Sequence, residues 1–330
     1  MSVTSVVIAS LPSTAWPAVC SESATTAIVC GGRNQRGPLA DAYRFDATAR
    51  SWTALPAMNT PRFGHTLVSL GAGEVLALGG WQRSSSATGA PSPSVAERWD
   101  GERWCDWDIA GLPLLSWHTT TIVGDDLLLI AGGSDEAGCE CSGSWLLAFR
   151  EQRVREHMPM RRSRAHHQAV CVPDSTGVLV VGPNDFNAEF WSLRSGEWQD
   201  SGAVLPRSSG TLVATKRSVL FAGGKDPEPM AILQEWTGSG SWARLADLPL
   251  PCGGCPATVL GDQRVALSGA GERGDGLLCY DPKSGSWFVA AEGLTARFAH
   301  GAISFGDNQL LVVGGLHNDS VELLTIDSPG

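Results

Sequence analysis

The sequence predicts an all-β chain built from seven copies of a four-stranded antiparallel unit, closed into one array over residues 1–330. Three observations predict it. An apolar run ending in Gly-Gly, or a worn version of it, recurs seven times with first glycines 41 to 53 residues apart. A period of about 47 residues uses up the whole chain in seven repeats. Thirteen Trp against two Tyr point to tryptophan at a repeated position.

In chain order the second strands are Ala27–Cys30 before Gly31-Gly32, Val75–Leu78 before Gly79-Gly80 and Leu128–Ala131 before Gly132-Gly133. Next come Val178–Val181 before Gly182-Pro183, Val219–Ala222 before Gly223-Gly224, Val265–Ser268 before Gly269-Ala270 and Leu311–Val313 before Gly314-Gly315. A preceding strand is often headed by Arg-x-x-His, as in Arg62 to His65, Arg164 to His167 and Arg297 to His300. The strand after the glycines ends in an aromatic near an acid: Tyr43 and Phe45-Asp46, Glu97 and Trp99, Glu189 and Trp191, Glu235-Trp236, Tyr280-Asp281. A spaced Trp then opens a fourth strand at Trp52, Trp104, Trp198, Trp242 and Trp287, and Leu-Pro or a relative leads into the next repeat. Four short strands with Gly and Pro turns form an antiparallel blade.

Diglycine, Tyr-Asp and spaced Trp in this order resemble the Kelch repeat over essentially the whole chain. The resemblance implies a β-propeller, and the repeat count makes it seven-bladed. The last unit shows three strands, Ala302–Phe305, Gln309–Gly314 and Val321–Ile326, and then ends. Val3–Ala9 precedes Leu11-Pro12 as other fourth strands precede Leu-Pro, so it is expected to complete that blade and remove exposed sheet edges. Glycine suits a sharp turn with φ > 0 where blades crowd towards the axis. The spaced Trp is large enough to fill the gap between blades.

The composition excludes several functions. A net charge of −10 argues against nucleic-acid binding. No apolar run is long enough to span a membrane, and the opening residues lack the basic and apolar regions of a secretory signal. Most of the nine Cys lie in apolar runs and read as small buried hydrophobes in a reducing compartment, so the expectation is cytoplasmic.

The loops joining strands two and three share a face with those joining successive blades, and binding residues favour such loops. Arginine dominates that face: Arg33, Arg36, Arg62, Arg83, Arg162, Arg164, Arg207, Arg273 and Arg297, with Asn34, Trp81, Trp117, His118, Asp135, Asp185, Lys225, His317 and Asn318. One reading is a basic funnel for an anionic small molecule or an acidic peptide or protein. The other is that the Arg heading each first strand is a repeat residue paired with its neighbours. His65, His118, His167 and His300 share one repeat position, and their spread around the ring makes convergence on a metal difficult. Cys252-Gly-Gly-Cys255 has ligand or redox spacing, and Cys139-Glu-Cys141 lies on a loop of the same face. The two pairs read as belonging to the third and fifth units, too far apart for a shared zinc. The former leads into a strand rather than the helix of a thioredoxin-like motif.

No metal or cofactor is therefore expected. The resemblance also brings copper-radical oxidases to mind, which need two ligand Tyr, one cross-linked to Cys, and two His. Here Tyr43 and Tyr280 both occupy the structural strand position. The leading expectation is a non-catalytic binding platform. The alternative is an isomerase, cyclase or lyase using acid–base groups such as His65, His118, His167, Asp135, Asp185 or Glu272.

Overall fold

The computed structural model describes residues 3–10, 14–82, 95–174, 176–182, 186–238, 240–316 and 318–327. Arg83, Asp185, His317 and the Leu11-Pro12 step lie outside the described residues.

Seven four-stranded antiparallel sheets follow one another along the chain. Blade 1 is Ala18–Ser21, Thr26–Cys30, Ala42–Asp46 and Ser51–Leu55. Blade 2 is Thr66–Gly71, Glu74–Leu78, Ala96–Trp99 and Trp104–Asp106. Blade 3 is Thr119–Ile122, Leu127–Ala131, Ser144–Ala148 and Arg153–His157. Blade 4 is Gln168–Cys171, Gly177–Val181, Asn187–Ser192 and Trp198–Ala203. Blade 5 is Thr211–Ala214, Val219–Ala222, Leu233–Trp236 and Trp242–Arg244. Blade 6 is Ala257–Val259, Val265–Ala270, Gly276–Asp281 and Ser286–Ala291. Blade 7 is Gly301–Phe305, Gln309–Val313 and Ser320–Ile326, and its outer strand is Val3–Ser10. That strand pairs antiparallel with Ser320–Ile326 from Val3 opposite Ile326 to Ser10 opposite Ser320, with one irregularity between Val7 and Ala9. The seven-bladed propeller and its closure by the N-terminal strand are as expected from the repeat phase.

The core is divided among seven apolar clusters, each between neighbouring blades. The apolar second strands serve two clusters at once because successive side chains point to opposite faces. Ala27 and Val29 pack with Leu311 and Val313 of blade 7, whereas Ile28 and Cys30 pack with Val75 and Ala77 of blade 2. The cluster joining blades 7 and 1 closes the ring. Fourth-strand tryptophans fill the gap to the preceding blade, as Trp198 shows by donating from Nε1 to Ser144 Oγ at 3.3 Å.

The diglycines sit where these contacts are closest. At Gly79, φ is +63°, and a Cβ there would press on the Leu115 carbonyl and His118 of blade 3. At Gly80, φ is +96°, and a Cβ would lie 2.7 Å from His65 Cβ within blade 2. One glycine makes room for the next blade and the other for its own.

Candidate functional site: the axial mouth

Four blades contain a buried arginine three residues before the His position. Arg62 donates to the Gly79 carbonyl at 2.6 Å and to Glu97 Oε1 at 2.7 Å, with both side chains fully buried. Arg164 reaches Glu189 Oε1 at 3.0 Å and the Asn187 carbonyl at 2.6 Å. Arg297 reaches the Gly314 carbonyl at 2.7 Å and Glu322 Oε2 at 3.2 Å. Arg207 donates to Gln234 Oε1 at 2.6 Å and the Phe221 carbonyl at 3.0 Å. Each partner side chain projects from the third strand, from the residue opposite Ala77, Val180, Val312 or Phe221 on the second. Thr14, Leu115 and Cys252 hold the arginine position in blades 1, 3 and 6, and there the acidic position becomes Tyr43, Trp145 and Leu278. Cation and acceptor change together, as the desolvation cost of an unpaired buried charge demands.

The ligand-facing reading of Arg62, Arg164, Arg207 and Arg297 therefore gives way to the pairing reading. Burial in these locks removes them from the mouth. Arg162 also lies outside it, paired with Asp200 at 3.3 Å.

The histidines are interblade staples. His118 Nε2 lies 3.1 Å from Thr66 Oγ1, His167 Nε2 lies 3.0 Å from Thr119 Oγ1, and His300 Nε2 lies 2.9 Å from Ser268 Oγ. His65 Nε2 lies 3.6 Å from Cys30 Sγ. Burial lowers their pKa values to about 4 for His118 and about 3 for His167 and His300; Arg164 and Arg297 repel the last two further. His65 is likewise held well below its ordinary value by burial and by Arg62. These imidazoles are neutral at pH 7 and joined to their neighbours. Among the described residues no cluster of three or more His, Cys, Asp or Glu could hold a metal ion. Cys252 and Cys255 are buried between blades 5 and 6, and the Cys255 thiol donates to the Gly269 carbonyl at 3.2 Å. The Cys252–Cys255 turn thus leads into blade 6, while Cys139 is exposed on a blade 3 loop.

The residue before the His position sits at the axial rim with left-handed backbone in every blade. These are Trp16 (φ 54°), Gly64, Trp117 (φ 57°), His166 (φ 56°), Ser209, Gly254 and Ala299. Their amides run around the axis: Trp117 N donates to the Gly64 carbonyl at 2.7 Å, His166 N to Trp117 at 3.0 Å, Gly254 N to Ser209 at 2.8 Å and Trp16 N to Ala299 at 2.8 Å. The rim encloses a cavity of about 720 Å³ along the axis, to which all seven blades contribute.

Aromatic rings form one side of this mouth. Trp16 and Trp117 meet edge to face at 5.7 Å, Phe63 meets Trp117 edge to face at 5.7 Å, and His166 stacks on Trp117 at 4.2 Å. Gly64 leaves the space Trp117 occupies: a Cβ there would lie 2.7 Å from the indole. Lys225 is the one lysine or arginine lining the cavity among the described residues, and its Nζ lies over Phe298, 5.6 Å from the ring centre. Beside the mouth, the hairpin of Arg33–Asn34 and Gly37–Pro38 walls a second cavity of about 590 Å³, shared with Trp16 and Leu316 and lined by Arg33 and Arg36.

The expected sharing of one face by the two loop types is visible in the bridges Ala15 to Arg33, Phe63 to Trp81, Ser116 to Ser134 and Ser208 to Lys225. Of the predicted residues, Arg33, Arg36, Trp117 and Lys225 meet at the mouth and its flank, and exposed Trp81 sits beside Phe63. His118 borders the cavity with its ring nitrogen committed to Thr66. Trp16, Phe63, His166, Phe298 and Leu316 escaped the sequence reading. Aligning the repeats on the residue before the His position would have exposed Trp16 and His166 beside Trp117.

Fold and repeat geometry define a seven-bladed β-propeller that resembles Kelch-repeat proteins. No protein-family model matches the chain. It is similar to Kelch-like protein 38 of Mus musculus, 24% identical over 221 residues, which are 63% of this chain and 37% of that protein. The match thus spans little more than a third of the relative's length. A solved fungal alcohol oxidase described as having catalytic diversity among the AA5 family, in complex with copper, superposes with a TM-score of 0.71. It covers 99% of this chain and 76% of that one at 14% identity, which is a likeness of fold. The residues here do not fit a copper site of the kind expected from tyrosine ligands. Tyr43 packs on Trp52 at 5.8 Å at the blade 7–blade 1 contact, and Tyr280 packs on Trp287 at 5.3 Å at the blade 5–blade 6 contact.

Proposed function

We propose that the chain is a non-catalytic binding platform, a single propeller domain that holds an acidic peptide or protein segment, or a small anionic ligand, at its axial mouth. The supporting observation is the left-handed backbone at Trp16 and Trp117. A bulky residue there costs roughly 1–2 kcal/mol, which glycine avoids at Gly64 and Gly254. Indoles kept at such positions, around a cavity, support a role for this rim beyond folding. Arg33, Arg36 and Lys225 supply the charge. Among the described residues none of them pairs with a carboxylate, whereas Arg44, Arg98, Arg244 and Arg264 do. The buried, neutral and hydrogen-bonded histidines give little support to an acid–base enzyme. Among the described residues no helix is long and apolar enough to cross a membrane. All nine cysteines are free thiols, which supports a reducing compartment, and on that ground we propose a cytoplasmic location.

The test is a thermal-shift titration with Asp/Glu-rich dodecapeptides against Lys-rich controls. Stabilisation by the acidic peptides that is lost in the Arg33→Ala/Arg36→Ala double variant is the expected outcome. An unchanged response in that variant contradicts the reading.

A further inference from the structure

The mouth and the flanking cavity meet along a ridge made by Trp16, 38% exposed, and Leu316, 44% exposed. A cation is fixed on each side of that ridge by an aromatic ring. On one side the Arg33 guanidinium lies over Phe63, 5.2 Å from its centre, and the Phe63 and Trp16 ring centres are 6.4 Å apart. On the other side Lys225 starts in blade 5, crosses blade 6 and places its ammonium over Phe298 of blade 7. The crossing depends on Gly253, where a Cβ would collide with the Lys225 stem. The backbone ties both flanks to the ridge: Leu316 N donates to the Phe298 carbonyl at 2.8 Å on one side, and Arg33 N donates to the carbonyl of Ala15, next to Trp16, at 2.9 Å on the other.

Resting on the binding reading above, we infer that the ridge separates two anion subsites, and that the site selects a ligand with an apolar ring between two anionic groups. The ring packs on Trp16 and Leu316. One anion meets Arg33, with Arg36 beside it, and the other meets Lys225. Arginine offers a planar fork for a carboxylate or phosphate, and lysine offers a point charge. Holding each cation against a ring reduces the side-chain freedom lost on binding. Two linked anions gain over one because the second contact becomes intramolecular.

Isothermal titration with two matched pairs tests this: benzoate against terephthalate, and biphenyl monocarboxylate against the dicarboxylate carrying a group at each end. In the native protein at least one diacid should bind about tenfold more tightly than its monoacid. Lys225→Ala and Arg33→Ala should each reduce that diacid to the affinity of the monoacid, and Trp16→Ala should weaken both. Equal affinities within both pairs overturn the inference, as does a diacid preference that survives both charge removals. If none of the four acids binds while the acidic peptides still do, the two-subsite arrangement alone falls. If the peptides fail too, the platform reading falls with it. Matched melting curves show that each variant is folded.

Discussion

Blades 2, 4, 5 and 7 carry a buried arginine with an acidic or amide acceptor, and blades 1, 3 and 6 build the same turn with apolar or small side chains. The two solutions hold the same backbone, so the ion pair is one of several ways to fill the space under a diglycine. Its presence therefore says little about ligands. A repeat protein allows this comparison inside one chain, because neighbouring blades act as natural double substitutions of one another.

The largest expected effect concerns the histidines. Where they share a blade with the arginine, as His167 and His300 do, the pKa is about 3; His118, in a blade without one, is at about 4. The unfolded chain titrates near 6.5. Below that pH the unfolded state holds protons that the native state does not, so stability falls as the solution is acidified. The loss is about 1.4 kcal/mol per pH unit for each such group until its folded pKa is reached. Denaturant unfolding between pH 8 and pH 4 should show a plateau above about pH 7 and a steep decline below about 6.5. A flat profile down to pH 5 would contradict the neutral staples.

A smaller effect comes from converting one blade into the other kind. Arg164→Leu removes the guanidinium from the buried Glu189 carboxylate, which keeps the Arg161 amide on its other oxygen, and should cost about 3–5 kcal/mol. Adding Glu189→Trp, which reproduces the Leu115 and Trp145 chemistry of blade 3, should recover most of that loss in urea unfolding. Glu189→Gln alone, the arrangement that blade 5 has in Gln234, should cost less than the arginine removal. In blade 5 burial already pulls the Arg207 pKa down to about 10 beside its neutral acceptor. A double variant no more stable than Arg164→Leu would show that the blades are not interchangeable in this way.

The blade count, the closing strand, the His position and the gap-filling Trp were legible in the sequence because each repeats or leaves a gap in a repeat. The arginine was legible as a position, with two readings open. Its partner was harder to see: Glu97 and Glu189 lie beside Trp99 and Trp191 and read as marks on an aromatic strand, and only register places them under the diglycine. Arg33, Arg36 and Lys225 were legible as loop charges of one face; the structure puts Lys225 in the axial cavity and Arg33 and Arg36 in the cavity beside it. The aromatic wall of the mouth was hidden because nothing in the composition of Trp16 or His166 announces a left-handed backbone. Their significance emerges when the seven rims are placed in one ring.

The smallest expected stability effect is the most informative, because it separates the rim from the locks. Trp16→Gly should leave unfolding free energy within about 1 kcal/mol of the native protein, since relief of the left-handed strain offsets the lost ring contacts. The same variant should lose the thermal stabilisation given by acidic peptides. A protein that loses several kcal/mol on this change, or that keeps its peptide response without the indole, would contradict a mouth built for binding.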